Sequence, residues 1–281
     1  MKQAYYIVCV CAGLFVTACS SAPKTPPQSL VIRNEAGRLV LLGAKSLREG
    51  QPAAAREYYA EAYRMYTLVD ESEGRIRALD GLGRLPDIDF DAWQKAQEIA
   101  QNTGDGALIA LASLLEAERL LFSENASSVQ NAQIVLTQAI EKLGGYPNDK
   151  ARAVRLQSSA LKQLQRYDEA IRVLQSAIDI DKKNRSFIEL ASDYYLLASI
   201  YSKQGDYAMA ITYLTSAIDF DRRSENGSGL GSDYLALGTI YEKAGNSELA
   251  KLNYKKALDI FTAGRFSENI AEVEQRLSNL K

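Results

Sequence analysis

The 281 residues contain no histidine. That removes imidazole acid–base chemistry, serine or cysteine nucleophiles activated by histidine, and histidine metal sites. The three cysteines, Cys9, Cys11 and Cys19, all lie at the N-terminus, so the body of the chain has neither a thiol nucleophile nor a disulfide. Carboxylates remain, and Asp193 with Asp233, or Asp168 beside Glu169, are the pairs that could divide acid and base roles. Ser192-Asp193 and Ser232-Asp233 instead read as helix openings, where side-chain oxygens cap free amides and acids favour the helix dipole, and Asp168-Glu169 opens a helix in the same way. Gly227, Gly229 and Gly231 follow no strand, so they read as a flexible turn between units rather than a phosphate cradle. Catalytic residues, metal ligands and cofactors are expected to be none, and the chain is not expected to be an enzyme.

The elements that carry these residues repeat. Ala170, Ala210 and Ala250 are spaced by 40 residues, as are Ala177, Ala217 and Ala257, and as are Ser158, Ala198 and Gly238. Large residues keep the same step at Leu161, Tyr201 and Tyr241, and at Leu174, Leu214 and Tyr254. Each unit therefore reads as two amphipathic helices joined at Gln204-Gly205-Asp206 or Ala244-Gly245-Asn246. Antiparallel helices approach to about 8–10 Å only where the residues at their crossing are small, which Ala198 and Ala210 supply.

The small-x-x-Tyr of the first helix (Ala198, Tyr201), the Gly205-Asp206-Tyr207 turn, and Ala210 with Ala217 on the second helix resemble the tetratricopeptide repeat, in an elongated 40-residue form. The resemblance implies an all-α solenoid of helical hairpins. Leu42-Gly43, Gly50, Ala55, Tyr59 and Ala62 fall in the same register and mark a first repeat over 36 to about 69. Between them and the break at Gly144-Gly145-Tyr146-Pro147-Asn148, two degenerate helix pairs are expected, with a variable insert as the alternative: Arg75–Leu85 with Phe90–Gln101 around Pro86, and Ala107–Phe122 with Val129–Leu143. Ile270, Val273, Leu277 and Leu280 give the last segment one apolar face, as a capping helix needs.

The N-terminus reads differently. One charge, Lys2, precedes an apolar run from Ala4 to Val16, shorter than the ~20 residues of a membrane span. Val16-Thr17-Ala18-Cys19 then resembles a bacterial lipobox, which implies acylation of Cys19, and Ser20 after it points to the outer membrane. The expected organisation is a signal peptide over 1–18, a lipidated proline-bearing tether over 19–33, the first and degenerate repeats over 34–145, and three regular units with the cap over 146–281.

In the repeat family the first helix of each unit lines a concave groove. That register assigns Arg152, Arg155, Ser159 and Lys162, then Tyr195, Ser199 and Ser202, then Thr239 and Glu242 to a partner-binding surface. Ser159, Ser199 and Thr239 stand where the family's carboxylate clamp has asparagine, so that clamp is not expected. Arg152, Arg155 and Lys162 read either as a solvated helix face or as a stripe meeting a partner. Both readings leave them exposed, so reversing Arg155 to glutamate is expected to leave stability nearly unchanged.

With 33 basic against 35 acidic residues, nucleic acid is not an expected partner. The expectation is a non-enzymatic adaptor, lipid-anchored to the outer membrane through Cys19 and facing the periplasm. It would bind a protein or peptide in pilus assembly or secretion, outer-membrane assembly or cell-wall hydrolase regulation, with an oligomer left open. The alternative is an accessory lipoprotein that passes an apolar ligand to a transporter through a pore in the stacked repeats.

Overall fold

A computed structural model describes residues 28–85, 91–123 and 125–280. Cys19 and the signal segment lie outside the described residues, as do Pro86 and Phe90. Thirteen helices account for the described chain: α1 Gln28–Arg48, α2 Pro52–Leu68, α3 Ser72–Gly83, α4 Ala92–Thr103, α5 Gly106–Phe122, α6 Ala126–Lys142, α7 Pro147–Gln163, α8 Tyr167–Asn184, α9 Phe187–Gln204, α10 Tyr207–Arg223, α11 Gly227–Lys243, α12 Ser247–Gly264 and α13 Ser267–Asn279. Each odd-numbered helix up to α11 pairs with the helix after it, giving six hairpins, and α13 covers the end. The degenerate pairs thus fold as hairpins too.

The odd-numbered helices touch one another in sequence from α1 to α11 and form the inner layer. The array also bends far enough for its ends to meet. Helix α1 reaches α11, and Gly50, at φ +70° in the first turn, packs so closely on Phe266 that a Cβ there would stand 2.6 Å from the ring.

The alanine ladders do what their spacing requires. Ala170, Ala210, Ala250, Ala177, Ala217 and Ala257 are all completely buried. At the Ala198 level of its own unit, Ser158 donates a hydrogen bond of 2.9 Å to the Ala170 carbonyl across the hairpin, which explains a hydroxyl at a site of zero exposure. Enlarging the crossing at Ala210 to leucine is expected to cost about 1–3 kcal/mol through overpacking. An unchanged thermal midpoint for Ala210→Leu would show that the crossing lies elsewhere.

Gly205 and Gly245 close their hairpins at φ +82° and +77°, and Asp206 and Asn246 cap the following helices. Turns between the regular helices are only two or three residues, so the 40-residue spacing is carried by helices of 17 or 18 residues. On one side of α9 and α10, rings stack in series from Tyr201 through Tyr213 and Tyr194 to Phe220, with centroids 5.3–6.1 Å apart, and Phe187 ends the row 5.8 Å from Phe220.

Three sequence expectations change. Asp193 and Asp233 do not open helices; they lie in the interiors of α9 and α11, at 0% and 2% exposure, because those helices begin six residues earlier than the Ser-Asp pairs suggest. Gly227, Gly229 and Gly231 are not a turn but the first residues of α11. A side chain at Gly231 would collide with Phe261, and one at Gly229 with Asp221 and Asn226, so close packing accounts for those two glycines, whereas Gly227 has open space around it. Helix α1 begins at Gln28, inside the stretch expected to be tether, since after Pro27 no residue interrupts the helix. Asp168 and Glu169 do sit in the first turn of α8.

Candidate functional site

Arginines on α7 organise the inner layer. Arg152 forks onto Asp80 of α3 at 2.7 and 3.0 Å and reaches Glu118 of α5 at 2.8 Å, while Arg84 supports the same acids from 3.2 and 3.6 Å. Burial works against the Arg152 charge, but Asp80 and Glu118 outweigh it and hold the guanidinium pKa above its ordinary value. Asp80 is pushed up by burial, and Arg152 and then Arg84 pull it below the usual carboxylate range. Beside this cluster Arg77 of α3 holds Asp149 of α7 at 2.8 Å. The degenerate repeats and the regular array are therefore joined by charge.

One turn further along α7, Arg155 meets three acids: Asp193 Oδ1 at 2.6 Å, Glu189 Oε2 at 2.6 Å and Asp181 Oδ2 at 2.7 Å. Burial pushes Asp181 up to about 7 and raises Asp193 as well, against the downward pull of Arg155.

These contacts correct the exposed-stripe expectation. Arg152 and Arg155 are each only 15% exposed at the side chain and are committed to acids of neighbouring units. Their partners lie 26 to 72 residues away in the chain, which is why a helical wheel shows them as free. Lys162 is half-buried, with its Nζ donating to Ser199 at 3.2 Å, and burial, helped by Lys203, lowers its pKa.

Two cavities open on this surface. The larger, about 780 Å³, is lined by Arg152 and Arg155, by Asp80, Glu118 and Glu189, and by the apolar Leu156, Phe187 and Ile188. The second, about 350 Å³, brings together Tyr195, Ser199, Ser202 and Thr239 as the register expects, with Lys203, Lys243 and Arg276 around them. Ser159 is half-buried on α7 and lines neither of these two cavities. Glu242 is occupied in holding the Tyr254 hydroxyl at 2.6 Å, and the same hydroxyl contacts Thr239 at 3.2 Å.

Sequence reasoning missed Asp80, Glu118 and Glu189 on the inner layer, and Asp181 and Asp221, which reach toward it from α8 and α10. For Asp181 and Asp221 a signal existed. They stand 40 residues apart, four beyond Ala177 and Ala217, on the buried stripe of the second helix.

Asp221 and Asp233 form a second buried acid pair, 3% and 2% exposed. Burial, then the neighbouring Asp221 charge and a shared proton, push Asp233 up to about 9; burial pushes Asp221 up to about 6. Both values exceed the ordinary ~4 of an unfolded aspartate. The native state thus keeps protons that the unfolded chain releases, so its advantage is complete at acidic pH and is lost as pH rises through the folded values. Stability measured from pH 7 to 9 is expected to fall more steeply in the wild type than in Asp233→Asn. Parallel profiles would refute the shared proton.

Residues 189–263 match a tetratricopeptide-repeat family model, and residues 156–184 match a second one. These stretches carry tetratricopeptide repeats. The hairpins of α1 to α6 lie beyond the matched residues. Among solved structures, a Rap protein complexed with Competence and Sporulation Factor superposes with a TM-score of 0.64 at 18% identity, covering 88% of this chain and 71% of that one. BtubC from P. vanneervenii (TM-score 0.48, 16% identity, 85% and 92% covered) and the apo form of RapI (0.44, 14%, 85% and 74%) are also similar. The likeness to the Rap protein speaks to the helical-repeat fold. No curated protein matches the chain.

Proposed function

We propose that this chain is a non-enzymatic scaffold that binds a peptide or protein segment along its inner layer of odd-numbered helices. The larger cavity carries the proposal: its floor of Leu156, Phe187 and Ile188 is bordered by charges already fixed in place by Arg152 and Arg155, which suits an extended chain with mixed side chains. The charged lining favours this reading over an apolar pore for a transporter's ligand.

The cellular setting proposed is the outer membrane, with acylated Cys19 as anchor and the body in the periplasm. Cys19→Ala is expected to release the protein from membranes in a high-salt wash, and retention would refute the anchor. For the inner layer, a photoreactive residue at Ile188 is compared in intact cells with one at Leu252, exposed on α12. Crosslinking to one defined partner from Ile188 but not Leu252 is expected. The reverse pattern would place the partner on the outer face.

A further inference from the structure

The three regular junctions make an internal comparison possible. At the first, Asp181 and Asp193 enclose the Arg155 guanidinium. Forty residues on, the two carboxylates return as Asp221 and Asp233, but the arginine position is Tyr195 and the Glu189 position is Gly229. At the last junction the same two places hold Phe261 and Val273, both completely buried. Hydrocarbon therefore fills these places well, and packing alone gives no reason for two acids at the middle junction.

Those acids lack a counter-charge. Asp221 Oδ1 accepts a hydrogen bond of 2.9 Å from Asn226 Nδ2, and Asp233 Oδ2 is buried without a hydrogen-bond partner, as Asp193 Oδ2 is at the first junction; what the middle junction lacks is the guanidinium that there meets the other carboxylate oxygens. The ionisable groups facing them are each other, from α10 and α11, and Tyr195 from α9; Glu272 of α13 acts on Tyr195 from the far side. Among the described residues no arginine or lysine pairs with either acid. Two buried carboxylates without a counter-charge are costly unless a proton or a cation satisfies them.

Tyr195 borders both the second cavity and the acid pair: it lines that cavity, which neither acid does, is 40% exposed, and its phenol is raised in pKa by burial and then by Asp233. We propose that Asp221 and Asp233 are a receptor for an arginine side chain of the bound peptide, whose guanidinium takes between the two carboxylates the place that Arg155 fills one unit earlier. The planar fork matches two carboxylates, and the displaced Tyr195 ring can lie against its face. Entry of the cation expels the shared proton, so binding strengthens as pH rises from 6 to 9. This inference rests on the peptide reading of the inner layer.

The test titrates N-acetyl-arginine amide, with the uncharged citrulline analogue as control, into the wild-type protein, Asp233→Asn and Tyr195→Arg, and follows backbone amide shifts of α10 and α11 by NMR. Saturable shifts around Asp221 and Asp233 are expected with the arginine compound alone, weakened by about tenfold or more in Asp233→Asn, the equivalent of one charge-assisted hydrogen bond. Tyr195→Arg, with the cation built in, is expected to bind none and to unfold at a higher denaturant midpoint than wild type at pH 8. Equal response to citrulline amide, equal affinity in Asp233→Asn, or no shift at α10 and α11 overturns the proposal. So does a Tyr195→Arg midpoint no higher than wild type. If the Ile188 crosslink forms equally in wild type and Asp233→Asn, the inner-layer site stands and the arginine receptor falls.

Discussion

Arg155→Glu is expected to destabilise the protein by at least the ~3–5 kcal/mol that follows removal of one partner from a buried ion pair. The substitution takes the Arg155 guanidinium from Asp181, Asp193 and Glu189 and adds a fourth carboxylate among them. A size-matched Arg155→Met separates the two contributions, since it leaves the acids uncompensated without adding charge. Its deficit should be smaller at pH 5 than at pH 8, because Asp181, already raised to about 7, can take up a proton and Asp193 is raised as well. Asp181→Asn and Asp193→Asn combined should recover most of what Arg155→Met loses. Chemical denaturation decides the matter: a midpoint for Arg155→Glu within error of wild type would mean that the cluster is a surface network of little consequence.

Arg152→Met should be the next largest effect, toward the lower end of the same range, since Arg84 stays beside Asp80 and Glu118 and compensates part of the loss. Its distinctive consequence concerns cooperativity. Asp80 lies on α3 and Glu118 on α5, whereas Arg152 begins the regular array on α7. Repeat arrays owe their single transition to nearest-neighbour coupling. Weakening this junction should let the degenerate half melt before the regular half, turning one unfolding transition into two. A single transition shifted as a whole would show that the remaining links, helix packing onto α7 and the Arg77–Asp149 pair, carry the coupling without Arg152.

The fold was legible because the residues that set helix approach are small and recur at a fixed step. Ala210 against Ala198, or Gly238 beneath Tyr254, announces a crossing without any knowledge of the partner helix. Charge was not legible in the same way. Arg152 and Asp80 are 72 residues apart and share no local pattern, so on its own helix Arg152 has the spacing of a surface residue. The Ser-Asp pairs misled for a related reason: a capping dipeptide has the same composition as a buried acid preceded by a serine, and only the helix start, set by Phe187 or Gly227, tells them apart. Tyr195 could be placed beside Ser199, Ser202 and Thr239 because all four depend on register alone.

The meeting of Gly50 with Phe266, and of α1 with α11, changes the mechanics of the array. A free spring accommodates a guest by stretching, and its stiffness is the sum of many small joints in series. A spring whose two ends touch has lost that soft mode. Widening the inner surface then requires the end contact to separate first, so a guest must thread along the axis or wait for that latch to open. The terminal hairpins, which in an open array would fray and exchange their amide protons earliest, become as slow to exchange as the latch itself.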